Sequence, residues 1–407
     1  MSGRAVTPGT TGGKQPPDRD DTGNLEREDS VKKLVMAVAG MAVLFAGAAQ
    51  AQAPNFDDPA EFAKQKAQLT GAFNGPADSP WLQYAGDAMA DTAKFKKDGP
   101  WTICFSNAGV NNPWRVVGYT DMTEEVKNHP EIGTFTHVDA EGSDDKQIAD
   151  IDDLLAGGTC SALIVSPNST AALTPAVEKA CASGLPVIVF DRGVTTDCPV
   201  TFVHPVGGYG FGIQAGEHVI ANTSAGANVL MLRILPGVDV LETRASGARN
   251  MFKEAGLNIL GEEFTDGDNA KTKSIVEDYL QRGTIDAVWM DAGATAVAAV
   301  EAFEDAGVPV PVVTGEDQQD YLQKWKALGF KGIAPTYPTY QWRTAIIAAV
   351  NTLKGEAVPG PEWVLPQPAI TQDVLDQYIN EKMPPLHYAM CGCEGMPGYP
   401  EAWGGTK

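Results

Sequence analysis

Asp191 and Arg192 follow directly on the apolar run PVIVF, while Trp114 and Arg115 follow Asn111 and Asn112 just beyond another apolar run, WTICF. At the end of a strand, a carboxylate and a guanidinium supply acceptors and donors for charge-assisted hydrogen bonds, which are the stronger kind. An indole beside amides and a guanidinium suits a flat, hydroxyl-rich molecule: its C–H face lies on the ring and its hydroxyls meet the polar groups. The same polar character recurs where other apolar runs stop, at Ser106-Asn107, Asp139, Ser166-Pro167-Asn168, Asp291 and Glu316-Asp317. Arg244, opening the helix-like stretch LETRASGARNMF, adds a third candidate cation. Ordinary roles compete at each position: a surface ion pair for Asp191 and Arg192, a solvated helix residue for Arg244, a core indole for Trp114.

These groups suit binding better than bond-making. No P-loop, G-x-S-x-G elbow or H-E-x-x-H occurs, and none of the five histidines sits in a pairing that suggests general-base work. The run GGYGFGIQAG has G-x-G-x-x-x-G spacing, which misses the dinucleotide fingerprint, so a tight crossover into a closely packed helix is expected there. Cys391-Gly-Cys393 with His387 nearby lacks a fourth ligand at useful spacing, and TDGDNAKTKSIVE lacks the ligand pattern of a calcium loop. Neither a metal nor a cofactor is expected, and the chain reads as a non-enzyme.

The elements that must position these residues alternate. Short apolar runs (WTICFSN, SALIVSPN, PVIVFDR, NVLMLRIL, DAVWMDAG, VPVVTGED) are separated by helix-like segments such as DDKQIADIDDLLAGG and NAKTKSIVEDYLQRG. Near-continuous apolar strands with interposed helices indicate parallel sheets covered on both faces. Such sheets gather ligands outside the carboxyl ends of their strands, which is where the polar residues fall. Two series of strands, one before and one after about residue 206, predict two sheets whose polar edges face each other across a cleft.

The chain of 407 residues carries 52 acidic and 30 basic side chains, a net charge of −22, which argues against nucleic-acid and anionic-membrane partners. Lys32 and Lys33 precede LVMAVAGMAVLFAGAA and the small-residue stretch AQAQA, the pattern of a secretory signal over 31–51 with cleavage after Ala51; a retained membrane anchor is the competing reading. Residues 1–30 form a disordered polar leader, which translation starting at Val31 would omit. All six cysteines lie beyond the signal and would meet an oxidising compartment. Cys181 and Cys198 bracket one strand and its loop, which makes them the preferred pair among 15 possible connectivities.

The runs FSNAGVNNPWRVV, DDKQIADIDDLLAGGTCSALIVSPN, LPVIVFDRG and ETRASGARNMF occur in the order found in type I periplasmic sugar-binding proteins. The chain resembles their ribose-binding members and, through the Trp-Arg pair, their galactofuranose-binding members, over 101–364. The resemblance implies an α/β fold of two Rossmann-like lobes with parallel sheets, joined by a three-stranded hinge and closing on a ligand. The lobes would comprise 99–204 with 337–363, and 205–336 with 364–388. A helical lead-in (52–100) and a cysteine-containing tail (389–407) lie outside the common pattern.

Carried over residue by residue, the resemblance implies that Trp114, Arg115 and Asn111 or Asn112 contact a sugar from the first lobe, together with Asp191 and Arg192. Arg244 and an acid at Glu316 or Asp317 would do so from the second. Two departures speak against ribose itself: Asp291-Ala292 stands where ribose binders carry Asn, and Gly267 lies where an aromatic residue is expected. The implied role is periplasmic capture of a neutral monosaccharide or sugar alcohol by a monomer, for delivery to an ABC permease and its ATPase. A sensory receptor subunit and a sugar-modifying enzyme are the alternatives.

Overall fold

In this computed structural model the described residues are 56–407; the leader and the expected signal lie outside the described residues. The lead-in contributes one helix, α1 (Pro59–Leu69), and a two-residue strand, β1 (Met89–Ala90). The rest of the expected helical lead-in is not α-helical. Gly86 takes a positive φ of 78°, and the main chain beyond it pairs elsewhere. β1 lies antiparallel to Val358–Pro359, and the Lys97 N–H donates to the Leu353 carbonyl at 2.9 Å. Backbone groups satisfied by a distant segment have no need of a local helix.

The first sheet is built from β2 (Trp101–Asn107), β3 (Ile132–Asp139), β4 (Ala162–Ser166), β5 (Val187–Phe190) and β6 (Thr201–Pro205), alternating with α2 (Pro113–Lys127), α3 (Asp144–Gly157) and α4 (Thr170–Ala182). The second begins after α5 (Gly208–Asn222). It contains β7 (Asn228–Arg233), β8 (Asn258–Phe264), β9 (Ala287–Met290), β10 (Val312–Thr314) and β11 (Gly332–Pro335), separated by α6 (Asp239–Glu254), α7 (Asn269–Arg282), α8 (Ala296–Asp305) and α9 (Gln319–Leu328). The chain then returns to the first half as α10 (Gln341–Lys354), β12 (Val358–Pro359) and β13 (Glu362–Leu365), and finally gives β14 (Ala369–Ile370) and α11 (Leu375–Tyr378) to the second. In space the orders are β13-β6-β5-β4-β2-β3 and β14-β11-β10-β9-β7-β8. All neighbours run parallel except β14, which lies antiparallel on β11.

β13 pairs over its whole length with β6, so the expected lobe boundary after residue 363 falls inside a strand of the first sheet. Trp363 is buried and meets Tyr84 edge-on, which keeps Val364 and Leu365 on that side.

Both sheets are covered on both faces, and β2 shows how: Ile103 and Phe105 join one buried cluster with Trp342, while Cys104 joins another with Leu163 and Val177. The glycine run at 207–216 serves packing. A Cβ on Gly208 would sit 2.0 Å from Thr243 Oγ1, and one on Gly212 would sit 2.4 Å from the Arg244 carbonyl. Only glycine lets α5 lie this close to α6.

The chain crosses between the sheets three times, after Pro205, Pro335 and Leu365. The crossings are tied together: the Gly207 N–H donates to Gln367 Oε1 at 2.7 Å, and the Tyr340 hydroxyl donates to the Pro366 carbonyl at 2.6 Å. Disulfides join Cys104 to Cys160, Cys181 to Cys198, and Cys391 to Cys393. The second staples α4 to the loop after β5, as the spacing of the two cysteines suggests. Among the described residues no helix is long and apolar enough to cross a membrane.

Candidate functional site

A cleft lies where the carboxyl ends of β5, β9 and β10 meet the start of α2 and the crossing into α10. Asn112, Trp114, Arg115, Asp191, Arg192, Arg244 and Glu316 all line it. Asn112 caps α2, its side chain accepting the Arg115 N–H at 3.0 Å, with Pro113 at the first helical position. That cap aims Arg115 back under the sheet edge. Its guanidinium donates to Asn107 Oδ1 at 3.1 Å, Ser166 Oγ at 3.2 Å and Asp191 Oδ2 at 2.7 Å. Burial pushes the Arg115 pKa down to about 10, with the Asp191 charge working the other way, so the group stays cationic at neutral pH. Asp191 holds a positive φ of 69°, an uncommon conformation for a residue with a side chain. Such outliers concentrate at functional sites.

Trp114 stands between the cleft and the core. Its indole N–H donates to the Tyr337 carbonyl at 2.7 Å, and its ring lies 5.5 Å from that of Trp342. Trp342 in turn fits against α2 because residue 118 is glycine; a Cβ there would lie 2.2 Å from the indole nitrogen. Trp114 is thus half-buried against aromatic neighbours and also lines the cleft.

Across the cleft, Arg244 Nη1 donates to Glu316 Oε1 at 2.9 Å and to the Asp291 carbonyl at 2.6 Å. Its guanidinium carbon sits 4.0 Å from the Phe211 ring centroid and 4.9 Å from that of Tyr337. Phe211 and Tyr337 provide a cation–π seat that holds the charge in place. The other oxygen of Glu316 accepts the Tyr388 hydroxyl at 3.2 Å. Arg192, next to Asp191 on the first wall, lines the cleft too, with its guanidinium donating to the Asn168 carbonyl.

Three expected residues stand apart from the cleft. Asp291 is fully buried beneath it, accepting the Ile234 N–H at 2.8 Å and Arg233 Nε at 3.3 Å, and it is Ala292 that faces the opening. Asp317 is also fully buried. Its Oδ2 accepts the Met390 N–H at 2.7 Å, so it fastens the C-terminal segment while Glu316 turns toward the cleft. Burial pushes both carboxyls up to about 7. Asn111 is exposed and lines a separate depression with Val116 and Leu386.

Other lining residues escaped the sequence reading. Tyr337 comes from the second crossing, and Tyr388 from the tail-end segment. Ile234, Leu235 and Val238 come from the turn between β7 and α6, and Val240 and Leu241 from the first turn of α6. The Tyr388 segment crosses the molecule: the Ala389 N–H donates to the Asp317 carbonyl at 2.8 Å, and farther on Trp403 Nε1 donates to Asp121 Oδ1 on α2 at 2.8 Å. Cys391, Cys393, Met396 and Trp403 pack there with Val117.

The pattern of the periplasmic binding protein domain matches residues 103–357. The ribose import binding protein RbsB of Bacillus subtilis (strain 168) is 28% identical over 259 residues, covering 63% of this chain and 83% of that one. An ABC transporter solute binding protein from Thermobispora bispora superposes with a TM-score of 0.62 at 24% identity, over 71% of this chain and 90% of the other. One from Bacillus halodurans, solved with bound myo-inositol, gives 0.62 at 22% identity, over 69% and 98%. These likenesses to solved structures show the fold. The match over 103–357 covers more than half of the chain and spans both sheets, so the chain belongs to the periplasmic binding protein family.

Proposed function

We infer that the protein captures a neutral monosaccharide or sugar alcohol in the periplasm and delivers it to an ABC importer by closure of its two halves. The observation that carries this reading is the opposed arrangement of Arg115–Asp191 and Arg244–Glu316. Two ion pairs face one another from different sheets, with the Trp114 indole beside them. Each wall pairs a cation with an anion, and Arg192 adds a further guanidinium that already donates to the Asn168 carbonyl, so the lining offers both donors and acceptors to a neutral polyhydroxy ligand. The cleft is a cavity of about 120 Å³, on the scale of one small ligand rather than a polymer. No bond-breaking group is needed, because hinge closure itself desolvates the ligand.

In this reading the first lobe is 99–204 with 337–365, and the second is 205–336 with 366–388. Asp191 offers Oδ1 to a hydroxyl, Arg192 and Arg244 donate, and Trp114 stacks. A thermal-shift screen over pentoses, hexoses and polyols tests it, since a ligand that binds only the native state raises apparent stability. A hit confirmed by calorimetry, with the ligand recovered unchanged, is the expected result. Conversion of the ligand would point to an enzyme, and silence across the panel would overturn the reading. Uptake of that ligand by vesicles carrying the cognate permease and ATPase separates import from sensing. Periplasmic protein should begin at Gln52.

A further inference from the structure

One wall of the cleft is hydrocarbon. The turn after β7 supplies Ile234, Leu235 and Val238, the first turn of α6 supplies Val240 and Leu241, and all five line the opening. Leu235 is 44% exposed, a large apolar side chain that the protein leaves open beside its own binding groups. The polar groups of the same half engage one another: Glu316 takes Arg244 at one oxygen and Tyr388 at the other. On this wall only the remaining N–H groups of Arg244 are left to meet a ligand hydroxyl, and the side chains of 234–241 offer none, while the other wall presents Asp191 and Arg192.

A fully hydroxylated ring closed against 234–241 would press hydroxyls onto side chains that cannot hydrogen-bond, and a buried, unpaired hydroxyl is unfavourable. A ring edge with hydrogen or methyl in place of hydroxyl avoids that loss and adds apolar burial. We propose that the cleft selects a deoxy monosaccharide, held by its hydroxyls on the Asp191–Arg192 side with its deoxygenated edge against 234–241. The proposal rests on the sugar-capture reading and names the class of sugar.

The test is calorimetry on matched pairs: D-fucose with D-galactose, L-fucose with L-galactose, L-rhamnose with L-mannose, and 2-deoxy-D-ribose with D-ribose. The deoxy member of the recognised pair should bind about ten- to a hundred-fold tighter, the range over which an apolar pocket rejects an added hydroxyl. Val238→Thr/Val240→Thr keeps the shape of the wall and gives it hydroxyls; it should narrow that gap while leaving the melting temperature near the parent's. Tighter or equal binding of the hydroxylated member in every pair overturns this inference and leaves sugar capture standing. An unchanged gap in the double variant removes the wall from the explanation. Binding of no sugar at all overturns the capture reading, and this inference with it.

Discussion

Arg115 and Asp191, 76 positions apart in sequence, meet at 2.7 Å with both side chains almost wholly out of solvent. The pair joins the first turn of α2 to the end of β5, so it sets the relative position of two cleft-lining segments. Asp191→Ala would leave a guanidinium buried beside Ser166 and Asn107 with no counter-charge. Removing one partner of a buried pair costs about 3–5 kcal/mol, and urea denaturation should show a loss of this order. Asp191→Asn, which keeps an acceptor, should lose less stability but still bind weakly.

Trp114 reports on stacking separately from folding. Trp114→Phe keeps an aromatic ring against Trp342 and removes the bond to the Tyr337 carbonyl, a loss of about 1 kcal/mol in stability. Its affinity for the ligand found by screening should fall further than that. Trp114→Ala should both melt earlier and bind least, since the ring touches the core as well as the cleft.

The buried Asp317 carboxyl, raised from 3.8 to about 7 by burial, gives a pH signature. The folded state holds this proton more tightly than the unfolded state does. The corresponding stability is fully present below about pH 4 and is lost as pH rises through about 7, with a slope of at most about 1.4 kcal/mol per pH unit. Asp317→Asn should flatten that part of the curve between pH 4 and 7. Thermal melts of parent and variant across this range check the sign. Equal slopes would mean that Asp317 does not titrate there.

The Cys181–Cys198 bridge closes a short loop, with a sequence separation of 17. Chain entropy assigns about 3 kcal/mol to such a crosslink. The Cys181→Ser/Cys198→Ser variant should therefore unfold at lower denaturant, while ligand affinity, measured where both proteins are folded, stays unchanged. Peptide mapping without reductant should find residues 181 and 198 in one linked fragment.

Much of the architecture could be read from the chain because apolar strands and intervening helices have local signatures. PVIVF followed by Asp-Arg is enough to place a carboxylate at a sheet edge. What sequence left open is which of two adjacent residues faces the cleft. Successive side chains at a strand end point to opposite sides, so Asp291 turned inward to Arg233 while Ala292 faced the opening. Glu316 faced it while Asp317 turned to Met390. Tyr337 and Tyr388 carry no local signal at all. They arrive through a crossing and a returning tail, and their placement depends on contacts far apart in sequence. The aliphatic stretch at 234–241 was visible as letters, but it reads as an ordinary entry into a helix until the fold sets it opposite Arg192.

The returning tail has a practical bearing on how the protein can be handled. Lys407 lies only four residues beyond Trp403, whose indole is fixed to Asp121. A purification handle or fluorescent reporter attached shortly after Trp403 would pull on the same stretch that carries Tyr388 to the cleft. Attachment at the exposed Gly157, where an added Cβ meets nothing within 4 Å, leaves that stretch untouched. A reporter built on this scaffold is better tethered there.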